Sequence, residues 1–205
     1  EAPLVRSWWL GKKKGKEAYI VPTVVGDHVE YSIGHDPKRA PTKQDDGTIS
    51  GGKGRCLACN SLIDSAYIRQ QAVSRGLGRQ LIAIAAEGDR RREYLEPTEA
   101  HSDVALSVSR PADVPSQEVP TRNHDVDRLP MYGMPTWSDA FTSRQLTALA
   151  TFSDLVAEAR KQVLLDALSA GMGEGDCLDS EGAEAVAYAA AVATYLAVGV
   201  SRLTD

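Results

Sequence analysis

The chain has 205 residues, enough for one large domain or two small ones. At 42% hydrophobic and 25% charged it has the composition of a globular protein with a real core, and its formal charge of −5 excludes a uniformly basic nucleic-acid binder while leaving room for a local basic face. Aromatic residues are only 6%, so that core must be built mainly from Ala, Leu and Val.

Charge is spread unevenly. Residues 1–110 carry 17 basic and 14 acidic side chains, and residues 111–205 carry 6 and 14. The change of sign coincides with a change of pattern, which supports two structural units, and the patterns themselves predict an α+β chain. Its parts are a small β-rich, zinc-ribbon-like module (1–110), a proline-rich linker (111–137) and a long-helix hairpin (138–205).

In chain order, residues 19–25 are dense in β-branched side chains and residues 28–33 alternate, which predicts a hairpin across Gly26-Asp27. A polar loop (36–46) leads to a short strand at 48–50 and the glycine-rich run Gly51, Gly52, Lys53, Gly54, Arg55. Residues 65–74 read as a helix closed by Gly76, and 81–86 and 92–95 as two strands around Gly88-Asp89. Prolines at 111, 115, 120, 130 and 135 break any helix and predict an extended, packed linker. Beyond it, Ser143 is the expected N-cap of a helix. Its apolar positions Leu146, Leu149, Phe152, Val156, Ala159, Val163 and Ala167 recur at three- and four-residue steps, and it ends at Gly171. A glycine- and acid-rich loop precedes a second helix over 183–203, packed antiparallel on the first, with Ala185, Ala189, Ala193 and Ala197 at the close approach.

The longest uncharged run, 185–201, falls short of the roughly 20 apolar residues of a bilayer span, so no membrane partner is expected. The N-terminus lacks a signal-peptide pattern, and three cysteines cannot close a disulfide framework. Both features predict a reducing, cytoplasmic setting. Starting at Glu1-Ala2-Pro3 without Met, the chain reads as an excised piece of a longer one.

Cys56-Leu57-Ala58-Cys59 carries the sharpest chemistry. Two thiolates two residues apart on a tight turn form half of a tetrahedral zinc site, which needs two further ligands. The alternatives are a redox pair, for which the strand-to-helix setting is missing, and cysteines with a structural role only. His28 and His35 are conceivable extra ligands, and otherwise surface residues. Cys177, in the acidic loop, is expected to be a free thiol. The run from Gly47 to Gly54 nearly spells a phosphate-binding loop. Gly54 stands where Ser or Thr must hold magnesium, and a cysteine turn follows instead of a helix, so that reading is rejected. Gly76-x-Gly78 and Gly171-x-Gly173-x-Gly175 read as turns, and Asp36-Pro37-Lys38-Arg39 and His124-Asp125-x-Asp127 as polar loops.

Basic clusters at Lys12, Lys13, Lys14 and Lys16, at Lys53 and Arg55, and at Arg90, Arg91 and Arg92 lie in the β-rich module. They are either a solvated face or phosphate contacts to DNA, and Trp8 and Trp9 beside them serve either core packing or that contact.

Several blocks, in order, resemble one family: Ala2-Pro3-Leu4-Val5-Arg6-Ser7-Trp8-Trp9-Leu10, Gly54-Arg55-Cys56-Leu57-Ala58-Cys59, Gly133-Met134-Pro135-Thr136-Trp137, the run from Phe141 to Phe152, and the run from Ala187 to Leu196. That family is the adenine-specific DNA methylases that contain a zinc ribbon, and the resemblance spans nearly the whole chain. It implies a catalytic fold split around this segment. The S-adenosylmethionine motif and a first C-x-x-C would lie upstream and the Asp-Pro-Pro-Tyr catalytic motif downstream, none of them within these residues. It carries over Cys56 and Cys59 as zinc ligands and no catalytic or cofactor-binding residue. The expected role is a DNA-holding or structural insert of an adenine-N6 methyltransferase, inactive alone, whose partners are DNA and the remainder of the methyltransferase chain. Holding only half a site, the chain is expected to fold through its apolar core with little or no zinc, whereas one equivalent of metal would point to His28 or His35. The competing expectation is an interaction module docking on a catalytic core or partner subunit. A third is an independent enzyme.

Overall fold

The computed structural model describes residues 2–89, 91–120 and 128–204, with Arg91 described by its backbone alone. The architecture is α+β, in two compact units: Glu1–Ser107 with Glu118–Thr136, and Val108–Gln117 with Trp137–Asp205. The proline-rich stretch is therefore divided between the units. Val119 is buried and its N–H donates to Pro135 O at 2.8 Å within that part, which meets the rest of the first unit where Gly133 lies against the Ala72 and Val73 backbone. Arg110 donates to Ser138 Oγ at 2.6 Å and Trp137 N–H to Gln117 O at 3.2 Å, fastening the rest to the second.

In the first unit β1 (Trp9–Gly11), β2 (Ala18–Val25) and β3 (His28–Gly34) form an antiparallel sheet in that order. The β2–β3 register closes at Val25 opposite His28, leaving the expected two-residue turn. Gly26, at φ 61°, occupies its first central position, as a type II′ turn requires. Pro22 is tolerated inside β2 because β1 pairs only with Ala18 and Tyr19, so no ladder bond is lost on that side. Trp8, Ala18, Tyr19 and Ile20 are the buried centre. Tyr19 lies across Gly34, where a Cβ would stand 2.4 Å from the ring, and its hydroxyl donates to Asp36 O at 3.0 Å.

A second small sheet consists of β4 (Ile49–Ser50), β5 (Lys53–Arg55) and β6 (Leu62–Ile63). Gly51 and Gly52, at φ 57° and 79°, supply the two left-handed residues of a type I′ turn between β4 and β5. α1 (Ser65–Arg75) starts where the Asp64 carboxylate accepts from Ala66 N–H at 3.0 Å and stops at Gly76. It lays Ile68 and Ala72 into the core, with Ile68 against Gly54.

The N-terminal segment is tied to the loop before β4 by side chains. Asp46 accepts from Ser7 Oγ at 2.8 Å and from Trp8 N–H at 2.7 Å. Thr48 Oγ1, nearly inaccessible to solvent, accepts from Val5 N–H at 2.8 Å and donates to Pro3 O at 2.5 Å. Leu4 thereby comes to rest over Gly54.

A ribbon of β7 (Ile84–Gly88) and β8 (Arg91–Leu95) docks on the first sheet, Tyr94 donating to Leu10 O at 2.7 Å and Glu96 accepting from Ile33 N–H at 3.0 Å. Residues 81–83, expected within the first of these strands, lie outside it. α2 (Glu99–Ser107), which the sequence reading did not anticipate, buries no residue.

The second unit holds α3 (Ser143–Ser169) and α4 (Ala185–Ser201), packed on one another. The N-cap of α3 is Thr142, one residue earlier than expected. Thr142 and Gln145 form a reciprocal capping box: Gln145 N–H donates to Thr142 Oγ1 at 3.2 Å, and Thr142 N–H to Gln145 Oε1 at 2.9 Å. Leu146 and Ala167 are buried on α3, and Ala185, Ala187 and Ala189 on α4. Phe152 and Ala197, expected to face inward, are exposed. The two helices contain 27 and 17 residues, so part of α3 has no α4 beside it. Among the described residues no helix is long and apolar enough to cross a membrane.

Two stability changes are expected. Asp46→Ala removes two charge-assisted hydrogen bonds and should cost the first unit about 2–4 kcal/mol in urea unfolding. Thr142→Ala should cost the second unit about 1 kcal/mol, because the capping box fails.

Candidate functional site

The cysteine turn is built by its hairpin. β5 ends at Arg55 and β6 begins at Leu62, with these two residues paired. Cys56 N–H donates to Ser61 O at 3.0 Å and Asn60 N–H to Cys56 O at 2.9 Å. The turn closes through Asn60 at φ 59°, a left-handed conformation that Asn tolerates better than most residues. Cys59 is exposed and Cys56 half-buried, both as free thiols, and Cys59 Sγ lies 2.9 Å from Ser61 Oγ. The Cys59 thiol is held below its ordinary range, first by the Ser61 hydroxyl, then by the Ser61 N–H and the Cys56 side chain. Two sulfurs on one tight turn fit half of a tetrahedral thiolate set. Among the described residues no cluster of three or more His, Cys, Asp and Glu forms a complete set.

The two histidines are engaged elsewhere. His28, at the hairpin tip, stands 3.4 Å from both Asp27 and Glu30, and His35 Nδ1 is 2.9 Å from Glu17 O. Asp127 and His124 lie outside the described residues.

The basic residues fall into three places. Lys13 and Lys14 are exposed on the β1–β2 turn, which Gly15 at φ 75° allows to close. Lys12 leans back, 3.8 Å from Asp46 and 5.5 Å from the centre of the Trp9 ring. On β5, Lys53 and Arg55 alternate with buried Gly54 and so share the outward face beside the cysteine turn. The third cluster is on the β7–β8 ribbon. Arg91 pairs with Gly88 and exposed Arg92 with Glu87, whose charge offsets it across the strands, while Arg90 lies outside the described residues. Trp8 is buried with its ring centre 6.3 Å from that of Tyr31, and half-buried Trp9 meets Tyr19 edge-on at 5.7 Å, so Trp8 packs in the core while Trp9 keeps part of its surface open.

A groove of about 370 Å³ opens between β2, the 36–48 loop and the cysteine turn. Trp8, Tyr19, Ile20 and Thr48 form its buried floor, Pro22, Pro41 and Leu57 part of its walls, and Arg39, Asp45, Arg55 and Asn60 part of its rim. Neither the groove nor the role of Ser61 was read from the sequence. The signals were a hydroxyl two positions after the second cysteine and a lone arginine in the 36–39 loop.

In the second unit Gln145 serves the α3 cap, Arg144 is exposed, and the Trp137 side chain is partly exposed. Exposed Cys177 has its sulfur 3.2 Å from Ser180 Oγ. The Ser180 hydroxyl and then its N–H push the thiol down in pKa, against desolvation and, after it, the charge of Asp179. Removing a donor to the thiolate raises a thiol pKa, and removing a nearby negative charge lowers it. Peptide-resolved alkylation across pH should therefore show the Cys177 midpoint rising in Ser180→Ala and falling further in Asp179→Asn.

Comparison of the chain with protein-family models, with curated proteins and with solved structures returns no match.

Proposed function

We propose that this chain is an internal, DNA-holding segment of an S-adenosylmethionine-dependent adenine-N6 DNA methyltransferase. The observation that carries the reading is the cysteine turn on the β5–β6 hairpin, with Lys53 and Arg55 on the outward face beside it. In this reading the turn is a zinc-ribbon-like half-module next to positive charge. Adenine inside a duplex is out of reach of a methyl donor, so such an enzyme must extrude the base and hold the deformed strand. Lys13, Lys14, Lys53 and Arg55 are the phosphate contacts in this reading. Lys12 contributes less, being shared with Asp46 and Trp9. Methyl transfer and S-adenosylmethionine binding belong to the remainder of the methyltransferase chain.

Cys56 and Cys59 would hold zinc together with a second cysteine pair from the chain preceding Pro3, and the zinc would supply rigidity rather than chemistry. Support comes from Leu4, which lies against Gly54, two residues before Cys56. A second reading has its own observation. Phe152 and Leu155 on α3 and Tyr188, Tyr195 and Val198 on α4 are exposed, the pattern of a helical hairpin that docks on a catalytic core or partner subunit.

Each lost phosphate contact lowers the magnitude of the log affinity–log salt slope by about 0.9 on duplex DNA. The double substitution Lys13→Ala, Lys14→Ala should therefore weaken duplex binding and reduce that slope by about 1–2. An unchanged slope removes the turn from the interface. Elution of the chain at an unaltered size with and without duplex DNA would favour the docking reading.

A further inference from the structure

We propose that the groove beside the cysteine turn receives one unstacked nucleotide of a single strand. Its base would lie in the apolar slot and its phosphate between Arg39 and Arg55. The inference rests on the nucleic-acid reading above and specifies which form of nucleic acid this part of the surface takes.

The groove, at about 370 Å³, is within the range of small-molecule sites and holds one nucleotide rather than a stacked pair. Pro22, Pro41 and Leu57 are half-buried apolar groups above a closed floor, surfaces suited to the face of a planar ring. Arg39 and Arg55 both line the same opening. Among the described residues Arg55 has no carboxylate partner, and Arg39 has only Asp36 at 3.9 Å, so both are free to turn their paired donors to a phosphate. Asn60, set on the rim by its left-handed backbone, has its side-chain amide without a hydrogen-bond partner among the described residues. An amide presents both a donor and an acceptor, which is what the edge of an unpaired base requires. Asp45, held by Thr42 Oγ1 at 2.6 Å, adds a negative charge to the lining, which favours one phosphate over two. A duplex buries its base edges and faces, so an unpaired nucleotide suits the slot better.

The test is a titration of the 205-residue chain, followed by the amide and indole signals of its NMR spectrum, with dAMP, deoxyadenosine and inorganic phosphate in separate arms. Saturable binding of dAMP at about millimolar concentration is expected, shifting the Asn60 side-chain amide and the Trp8 indole together. Deoxyadenosine and phosphate should each bind at least five-fold more weakly. Arg39→Ala and Arg55→Ala should each weaken dAMP about five- to tenfold, and Arg55→Lys by less. Absence of shifts at Asn60 and Trp8, or equal response to phosphate and dAMP, overturns the proposal. Arg55 serves both readings, Arg39 only the groove and Lys13 and Lys14 only the duplex face, so Arg39→Ala and the Lys13→Ala, Lys14→Ala pair are the variants that separate the two ideas. A lost dAMP response with a normal salt slope sinks the groove alone, and a flat slope with dAMP binding intact sinks the duplex face alone.

Discussion

The first unit depends on a single carboxylate placed where two distant stretches of chain must meet. Asp46 takes the Ser7 hydroxyl and the Trp8 N–H, while Thr48, two residues on, takes Val5 N–H and returns a bond to Pro3 O. Gly47 between them is required, since a Cβ there would stand 2.5 Å from the Val5 and Arg6 carbonyl oxygens, and its φ of 91° suits glycine alone. The clamp sets Trp8 into the core beside Ala18, Tyr19 and Ile20 and lowers Leu4 onto Gly54. Without it the three-residue β1 has too little pairing of its own to hold the N-terminal segment in place.

What faces solvent follows from that anchoring. Thr48 continues into β4 and its carbonyl accepts from Arg55 N–H at 2.8 Å, so the clamp, the small sheet and the cysteine turn are one connected framework. The same loop closes one side of the groove and the buried floor closes its base. Chemistry-bearing residues are thus gathered at the edge of a sheet too small to be stable alone.

The parts legible in the sequence were those with a period or a punctuating residue. The β2–β3 hairpin announced itself by alternation and by Gly26-Asp27, α1 by Gly76, and α3 by its long apolar recurrence. Strands of two or three residues, such as β1, β4 and β6, carry too little period to read, although β4 was located by its flanking glycines. α2 was missed because it is held by no buried side chain and offers no apolar stripe. The division of the proline-rich stretch was also illegible, because it turns on Gly133 meeting Ala72 and Arg110 meeting Ser138, partners distant in the chain. Phe152 fitted the recurrence of α3 yet is exposed while Leu146 on the same recurrence is buried, since periodicity gives a helix a face but not what covers each position on it. At the site the cysteine pair was plain, whereas the groove arises from residues spread over 8–60 that only the fold assembles.

Native-state hydrogen exchange of individual amides bears most directly on the central role of the Asp46–Thr48 clamp. If the clamp is integral to the unit, the Trp8 and Thr48 amides exchange as slowly as Ile20 in the core, all three opening only with global unfolding of the first unit. Exchange of Trp8 and Thr48 several orders of magnitude faster than Ile20, with the sheet otherwise protected, would show that the N-terminal segment detaches freely, and would contradict the account.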